Sequence, residues 1–419
     1  MFRKLLKSCQ SPMLSRLTSS VVGVLIVLYY LMLPEYDDDQ QLVISHLQQK
    51  EASIENLSEI TSAQDHQKII LFWTKFFETS DFEVGIGSTP FARCCEVSNC
   101  VTTTDRRLLN DSDAVFFHAR DLHPNDLPPP GQRRPHQNFV FFLLESPMHT
   151  DLKMLQMPLF QNYFNRTMTY RLDSDVVNTY GRIRCIDSSS SCSNFPPGNT
   201  LSAQSNFNPA VIASSNIQQM NLTVKNRTVA WFVSNCKTSS QRELLVRNLS
   251  NFIPVDVYGS CRNNGSNHTC VNRADCNVML GRYYRFYLSF ENSLCPDYVT
   301  EKLYRTLMHD TVPVVYGGAN YSLYLPEGSY VNARDFDSPE NLANHLKELM
   351  INDELYLSYF RWKQRYTVEL GHLNGWCSLC RLLNDRNDVE KKSYADIAAW
   401  WSGQLTNQTC FTPPPTSLV

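Results

Sequence analysis

The sequence predicts an α/β protein built from two doubly wound domains, which follow an N-terminal membrane anchor and a stem. Short apolar runs typical of buried parallel strands occur in two separate series, and segments with helical spacing lie between the runs of the second series. The 419 residues also exceed the usual size of a single hydrophobic core, so two domains are expected.

A candidate membrane anchor occupies residues 17–34. This segment has no charged side chain, and it is just long enough for a helix to cross a thin bilayer. Basic residues precede it and acidic residues follow it, so the positive-inside rule places residues 1–16 in the cytosol and the remaining chain in a lumen. A cleaved signal peptide is the alternative, but the charged leader is long and no small-residue cleavage pattern follows. The basic residues are Arg3, Lys4, Lys7 and Arg16.

Cysteines and glycosylation motifs agree with a luminal body. Thirteen of the 14 cysteines come after the anchor, where an oxidising lumen favours disulfides, and the odd number predicts one free or intermolecular thiol. Ten Asn-x-Ser/Thr motifs predict glycosylation of several sites. The candidate asparagines are Asn56, Asn110, Asn165, Asn221, Asn226, Asn248, Asn264, Asn267, Asn320 and Asn407.

The charge balance excludes one class of partner. The formal net charge is −3 and charged residues make up 19% of the chain, so no basic surface typical of nucleic-acid binding is predicted. After the anchor, residues 35–67 are polar and lack a sustained apolar period, which is typical of a stem that holds a folded body away from a membrane.

The first domain is predicted over residues 68–215. Apolar runs at Ile69–Trp73, Ala114–Phe117 and Phe139–Leu144 predict buried parallel strands. A Ser- and Asn-rich stretch from Ser188 to Asn226 contains two prolines followed by a glycine and indicates the boundary between the domains.

The second domain is predicted over residues 216–381, and residues 382–419 form a tail that packs back or is partly disordered. Strand-like and helix-like segments alternate here, so a ligand is expected in the crevice at the carboxyl ends of the strands. The predicted strands are Val229–Val233, Val255–Tyr258, Phe286–Phe290 and Val312–Tyr316. The predicted helices are Ser239–Leu249, Asp297–Met308 and Ser338–Met350.

Glu145 is the first candidate for chemistry. It directly follows the apolar run Phe139–Leu144, so it lies at the carboxyl end of a predicted buried strand. Partial desolvation there would raise the pKa of its carboxyl group toward neutrality, as a general base for a sugar hydroxyl requires. The alternative is a strand-end carboxylate that only caps the following turn.

A second candidate cluster lies where the run Phe286–Phe290 leads through a loop into a helix. Tyr298, Glu301 and Lys302 fall near the start of this helix, where unpaired backbone N–H groups favour an anion. Lys302 adds a full positive charge, and Glu301 is suited to accept hydrogen bonds from ribose hydroxyls. Arg242 lies early in the preceding predicted helix and is suited to two-point contact with a diphosphate. Ordinary solvent-exposed charges on helices are the alternative for all of these residues.

Several other motifs give weaker signals. Asp173 and Asp175 are spaced to hold a divalent cation beside a diphosphate, although such pairs are common by chance. Gly317-Gly318 lacks the spacing of a dinucleotide fingerprint, and no P-loop, His-Glu-x-x-His or Gly-x-Ser-x-Gly motif occurs. Cys377-x-x-Cys380 has zinc-like spacing, but without a partner pair it favours a disulfide role.

At these residues the chain resembles the α1,3/4-fucosyltransferase family, glycosyltransferase family 10, and in particular its invertebrate α1,3-fucosyltransferases. The resemblance covers roughly residues 69–381, with the blocks in the family's order. The matching blocks are Leu144–Pro147 (LESP), Met168–Asp175 (MTYRLDSD), Trp231–Asn235 (WFVSN), Phe286–Ser293 (FYLSFENS), Asp297–Tyr304 (DYVTEKLY) and Val312–Tyr316 (VPVVY).

The resemblance implies a GT-B transferase, in which two Rossmann-like domains face a cleft, with the acceptor-side chemistry in the first domain and GDP-fucose in the second. It implies that Glu145 is the catalytic base, that Arg242 and Lys302 contact the diphosphate, and that Tyr298 and Glu301 lie around the ribose. The further donor-lining positions that it implies are Tyr180, Ser234, Asn235, Tyr287 and Asn292. At Tyr180 the flanking residues Asn178-Thr179 depart from the family pattern.

The implied reaction is an inverting single displacement, because fucose is β-linked in GDP-fucose and α-linked in the product. Glu145 would deprotonate O3 of a GlcNAc acceptor while cations stabilise the departing GDP. The scheme requires no metal, so Asp173 and Asp175 become structural and manganese is at most a stimulant. The implied location is the Golgi membrane, with a single-pass type II topology.

Two alternatives to this function stay open. One is a GT-B transferase for another sugar donor or acceptor, and the other is a catalytically silent Golgi glycan-binding protein or chaperone on the same fold. The presence of Glu145, Arg242 and Lys302 disfavours the silent protein. The acceptor itself is either the innermost GlcNAc of an N-glycan or an antennary GlcNAc, since both present a 3-hydroxyl group.

The resemblance also implies a covalent clamp between the two ends of the body. It links the cluster of Cys94, Cys95 and Cys100 to Cys377 and Cys380, with Cys100–Cys380 as the preferred pair. Either Cys94 or Cys95 is then the candidate for the leftover thiol.

Overall fold

The computed structural model describes residues 67–92, 95–186, 193–196, 220–262, 273–371, 373–385 and 393–414. The predicted anchor and stem, Cys94 and the glycosylation candidates Asn56, Asn264 and Asn267 lie outside these residues. Within the described ranges, no helix has both the length and the hydropathy needed to cross a bilayer.

The first half of the described chain contains a fully parallel sheet, here called the first sheet, with the strand order β2-β1-β3-β4-β5-β6. Two short helices accompany it, α1 (Thr89–Ala92) and α2 (Leu152–Leu155). The strands are β1 (Lys68–Phe72), β2 (Cys100–Thr103), β3 (Ala114–His118), β4 (Asn138–Leu143), β5 (Arg166–Thr169) and β6 (Val176–Val177). A further strand, β7 (Gly181–Cys185), lies outside this sheet.

The second sheet is also parallel, with the order β12-β11-β10-β8-β9, so β10 lies at its centre with every residue buried. This pattern confirms the predicted α/β class with parallel sheets. The strands are β8 (Arg227–Phe232), β9 (Val255–Tyr258), β10 (Tyr284–Phe290), β11 (Val312–Tyr316) and β12 (Val331–Asn332). The helices of this half are α3 (Arg242–Leu249), α4 (Arg273–Tyr283), α5 (Glu301–Leu307), α6 (Pro339–Ile351) and α7 (Asp353–Ser358).

Two of the predicted helix starts are wrong by several residues. The helices predicted from Ser239 and Asp297 begin only at Arg242 and Glu301. The reason is local, because Gln241 has φ 52° and Asp297 has φ 60°, and a right-handed helix cannot continue through this left-handed conformation.

The C-terminal residues return to the first half. β13 (Tyr366–Leu370) pairs antiparallel with β7, and it is followed by α8 (Leu373–Asn384) and α9 (Ile397–Trp401). The boundary predicted at residue 381 therefore lies within α8 rather than between two structural units. Disulfides join Cys95 to Cys377 and Cys100 to Cys380, which fixes α8 beside β2.

The two C-terminal helices cover opposite faces of the first sheet. Alternate side chains of a strand point to opposite faces, so Ile70 of β1 packs with Trp376 of α8, whereas Leu71 belongs to the cluster that contains Trp400 and Trp401 of α9. The last residues of the chain therefore complete the core beneath the first sheet.

Candidate active site

The loops after β4 and β10 meet between the two halves. The Ser146 and Ser293 hydroxyl oxygens lie 2.8 Å apart in a buried hydrogen bond, so the chain at Glu145 lies next to the chain at Asn292. Both strands are parallel members of their sheets, and ligands of such sheets bind beyond the carboxyl ends of the strands. The contact thus places the predicted base beside the loop between β10 and α5, residues 291–300, which is here called the donor loop.

The Glu145 carboxylate is partly exposed, and it has no hydrogen-bond or ion-pair partner among the described residues. Its backbone is nevertheless braced, because the Tyr180 hydroxyl donates to the Leu144 carbonyl oxygen at 2.7 Å. Burial raises the pKa of Tyr180 well above its usual range, so this hydroxyl stays protonated as a donor. Glu145 is therefore held in place by the main chain while its carboxylate is available to a ligand.

His149, which sequence reasoning missed, joins the two halves electrostatically. Burial lowers the pKa of its imidazole, and the negative charge of Glu145 acts in the opposite direction. Three cations lower this pKa further, namely Arg120 of the first half with Arg242 and Lys302 of the second. The Nε2 atom of His149 is buried without a partner in the described structure. The charges of the candidate base and of both candidate donor cations are therefore all felt at this imidazole.

Arg242 begins α3 and is buried beneath the donor loop. Its Nη1 donates to the Phe290 carbonyl oxygen at 2.6 Å, and its Nη2 lies 3.5 Å from the Asn235 carbonyl oxygen. Burial lowers the pKa of Arg242, but an arginine stays charged at any physiological pH. Its Nε is a buried donor without a partner among the described residues, so the guanidinium retains unused hydrogen-bonding capacity.

Lys302 lies in the first turn of α5. Its Nζ is 3.1 Å from Glu291 Oε2, 2.7 Å from Thr300 Oγ1 and 3.8 Å from Glu301 Oε1. Burial opposes the charge of this ammonium, but the two carboxylates outweigh burial and the pKa of Lys302 is raised. For Glu301 burial likewise opposes the charge, and Lys302 and Arg305 outweigh it, so the pKa of Glu301 is lowered. Both side chains are charged at neutral pH.

The other predicted donor-lining residues occupy different environments. Tyr298 is 2% exposed and its ring packs 5.0 Å from that of Tyr170, while Tyr287 is 6% exposed beside Phe232. These two tyrosines are buried, whereas three other predicted positions lie nearer to solvent. Ser234 and Asn235 are exposed, and Asn292 is half-buried.

Two acidic residues that sequence reasoning did not select, Glu291 and Asp297, organise the donor loop. Glu291 accepts hydrogen bonds from Thr300, and Asp297 accepts from the Leu172 backbone N–H at 3.1 Å and from the Tyr324 hydroxyl at 2.9 Å. Asp297 thereby ties the loop to the first half of the chain. A carboxylate directly after the central strand, as at Glu291, is the signal that could have identified one of them.

Asp173 and Asp175 make contacts that suit a structural role. Asp173 forms a two-point ion pair with Arg171, and Asp175 accepts hydrogen bonds from Thr167 and from the Tyr394 hydroxyl. In the described part of the chain, no group of three acidic, histidine or cysteine side chains is arranged to hold a metal ion.

The preferred disulfide Cys100–Cys380 is present, and Cys95 pairs with Cys377. Disulfides also join Cys236 to Cys261 and Cys295 to Cys410, and no described cysteine is free. Among the described glycosylation candidates, Asn165 and Asn248 are half-buried. The exposed candidates are Asn110, Asn221, Asn226, Asn320 and Asn407.

Comparison with known proteins identifies the family. Residues 65–181 match the model "Fucosyltransferase, N-terminal", and residues 222–400 match "Glycosyltransferase family 10 (fucosyltransferase) C-term". An α-(1,3)-fucosyltransferase C from Drosophila melanogaster is 36% identical over 91% of this chain and 86% of its own length. A human 4-galactosyl-N-acetylglucosaminide 3-α-L-fucosyltransferase is 33% identical over 80% of this chain and 83% of its own length.

A solved α1,3-fucosyltransferase structure supports the fold. It aligns with a TM-score of 0.50 at 16% identity, and the alignment covers 78% of this chain and 92% of that chain. At this identity the likeness concerns the fold alone. The family models, the relatives and the predicted sequence blocks agree, and the chain is a glycosyltransferase that belongs to family 10, the fucosyltransferases.

Proposed function

We propose that this chain transfers L-fucose from GDP-β-L-fucose to O3 of a GlcNAc unit in a glycan, with inversion at the anomeric carbon. One observation carries the proposal. The buried hydrogen bond between Ser146 and Ser293 holds the chain at Glu145, whose carboxylate has no hydrogen-bond partner in the described structure, beside the loop that leads to Lys302, and this supports a base and a diphosphate site that face each other. The relatives named as α1,3-fucosyltransferases supply the sugar and the linkage.

In the proposed reaction Glu145 takes the proton from the acceptor O3 as this oxygen attacks the anomeric carbon of fucose. The bond from that carbon to the β-phosphate oxygen breaks, and its electron pair leaves with GDP. Arg242 and Lys302 stabilise the charge that develops on this oxygen, and Glu301 and Tyr298 lie on the ribose side. Because two protein cations meet the diphosphate, we propose that the reaction requires no metal and that manganese is at most a stimulant.

The proposal also covers the acceptor and the cellular location. The acceptor GlcNAc is either the innermost residue of an N-glycan or an antennary residue, because both expose O3. The catalytic body faces the Golgi lumen from a single-pass type II anchor at residues 17–34. Protection of the body from protease in intact vesicles supports this topology, and digestion in intact vesicles contradicts it.

A transfer assay tests the function directly. The purified full chain is incubated with a panel of nucleotide sugars and with defined glycans that offer core or antennary GlcNAc, in buffer with EDTA and with manganese. We expect mass spectrometry to find fucose on GlcNAc from GDP-fucose alone, with transfer persisting in EDTA. Transfer of another sugar favours a different GT-B activity, and glycan binding without transfer favours a silent glycan-binding protein.

A further inference from the structure

Glu291 is a buried carboxylate for which the proposed reaction has no direct use. It follows the central strand β10 and is 1% exposed. Its Oε1 accepts from the Thr300 backbone N–H at 2.8 Å and lies 2.9 Å from Thr300 Oγ1, while its Oε2 lies 3.1 Å from Lys302 Nζ. A carboxylate at this depth is costly unless it is paired and hydrogen-bonded, and here both conditions are met.

Thr300 connects the same two charges a second time. Lys302 Nζ lies 2.7 Å from Thr300 Oγ1, and an ammonium group can only donate. The hydroxyl therefore accepts from Lys302 and donates its single proton to Glu291. Glu291 therefore holds the Lys302 ammonium both directly and through the Thr300 hydroxyl, and these contacts restrict the position of the ammonium.

We propose that Glu291 is a positioning residue that fixes the Lys302 ammonium, in its charged form, at the site of the donor diphosphate. The inference rests on the proposed function, in which Lys302 contacts that diphosphate. Glu291 itself lies beneath the cation and does not touch the donor. Its carboxylate determines where the charge lies before the donor arrives, so less reorganisation is required when it binds.

The consequence is a pH dependence that appears only when Glu291 is removed. The charged groups with the largest effect on Lys302 are Glu291, Glu301 and Arg242, and the titratable His149 also interacts with it, with a pKa that burial lowers. Burial and the repulsion from Arg242 lower the pKa of Lys302, and the two glutamates raise it. In Glu291→Gln only Glu301 still raises this pKa, so the pKa of Lys302 falls. The ammonium then loses its proton as pH rises, and affinity for a diphosphate falls with it.

Binding of GDP-fucose to the full chain, measured calorimetrically without acceptor at about pH 6.5 and about pH 8.5, tests this inference. The donor is preferred to GDP because a diphosphate esterified at both ends does not titrate in this range. We expect wild type to vary by less than about twofold, and Glu291→Gln to bind at least about fivefold more weakly at the higher pH. In the double variant Glu291→Gln/Lys302→Arg the pH dependence should disappear, because an arginine stays charged.

Glu243→Gln is the matched control. Glu243 also accepts hydrogen bonds from a threonine, Thr238, at 3.0 and 2.9 Å, but it has no contact with Lys302. This variant should keep the pH-independent binding of wild type. Equal behaviour of Glu243→Gln and Glu291→Gln at both pH values overturns the positioning role.

Two further variants keep the test decisive. If Glu291→Gln does not fold, Thr300→Val provides a second test because it removes only the bridging hydroxyl. Its affinity for GDP-fucose should also fall as pH rises, but by less, and pH-independent binding by this variant overturns the proposal.

Lys302→Ala separates the proposed donor site from the proposed role of Glu291. If Lys302→Ala leaves GDP-fucose affinity unchanged, the donor site of the proposed function fails, whereas a weakened Lys302→Ala beside a wild-type-like Glu291→Gln contradicts only the role of Glu291.

Discussion

Glu145 and Glu291 occupy equivalent places in the two halves of the molecule but have opposite environments. Each follows a central strand of a parallel sheet at its carboxyl end, β4 for one and β10 for the other. Glu145 is partly exposed and without a partner in the described structure, whereas Glu291 is 1% exposed and bound to Thr300 and Lys302. In the proposed reaction the same residue type therefore serves as a base in one half and as an anchor for a cation in the other.

This difference bears on the reaction. A double displacement would need a carboxylate that attacks the anomeric carbon as a nucleophile, in addition to an acid or base. Glu291 is unsuited to that step because Lys302 and Thr300 occupy its oxygens, and Asp173 and Asp175 are paired elsewhere. These environments support the proposed single displacement with inversion, in which Glu145 acts as the base.

The largest expected effect comes from removing the charge of the available carboxylate. Glu145→Gln keeps the shape of the side chain but cannot accept the acceptor's proton, so turnover should fall by about a hundredfold or more. Donor affinity should stay near that of wild type. Steady-state kinetics with GDP-fucose and a GlcNAc acceptor, together with GDP calorimetry, measure both quantities.

Asp151→Asn provides the control for Glu145→Gln. Asp151 is an exposed carboxylate that caps α2 through a 3.0 Å hydrogen bond from the Met154 backbone N–H. Its substitution should leave turnover within about twofold, since loss of a surface cap costs only about 1 kcal/mol of stability. Near wild-type turnover in Glu145→Gln would show that Glu145 is not the base.

The next effect concerns the cations of the second half. Arg242→Ala and Lys302→Ala should each weaken both GDP and GDP-fucose by roughly tenfold or more, because both ligands share the diphosphate. Lys237→Ala removes an exposed lysine from the same region and should leave both affinities unchanged. Unchanged GDP affinity in both test variants contradicts the assignment of the donor site.

The disulfide clamp should separate stability from donor binding. Cys95–Cys377 and Cys100–Cys380 close nearly the same loop, with separations of 282 and 280 residues, and the chain-entropy model assigns such a loop about 6 kcal/mol. Replacing all four cysteines by serine should therefore lower the unfolding temperature, while GDP affinity, which we expect to depend on the second half, is retained at low temperature.

The Cys236–Cys261 disulfide, with a separation of 25 residues, is the matched control for the clamp. Its loss should lower the free energy of unfolding by less, about 3 kcal/mol in the same model. If losing the shorter loop destabilises the protein more than losing both disulfides of the clamp, Cys95–Cys377 and Cys100–Cys380, the clamp does not act through the unfolded chain.

The smallest effect concerns a second buried lysine, which contrasts with Lys302. Lys225 donates to the carbonyl oxygens of Gly281 and Tyr284, and burial lowers its pKa to about 8. Between that value and the usual lysine pKa the unfolded state binds the extra proton, so the free energy of unfolding rises with pH. Lys225→Met should flatten this rise, by at most about 1.4 kcal/mol per pH unit in denaturant titrations. An unchanged slope contradicts the prediction.

Strands with a long apolar run were predictable from sequence, while polar or distant elements were not. β10 and β11 are buried along their whole length, so their apolar runs are unambiguous. β5 has the sequence Arg-Thr-Met-Thr, and its burial depends on neighbouring strands. Trp401 packs against the first sheet from more than two hundred residues away, and no local pattern indicates such a contact.

Prediction of the candidate site from the sequence has the same limit. The strand-end rule selected Glu145, and the helix-start rule selected Lys302. The positions of Ser293 and Thr300 matter only through contacts that the folded chain creates. The assigned roles of Tyr298 and Tyr287 around the donor stay predictions.

The anomeric configuration of the product tests the central claim most directly. If Glu145 acts as the base of a single displacement, NMR of the glycan made by the full chain from GDP-β-L-fucose will show α-linked fucose on O3 of GlcNAc. A β-linked product would mean that configuration is retained, and the proposed role of Glu145 as the base of a single displacement would then be contradicted.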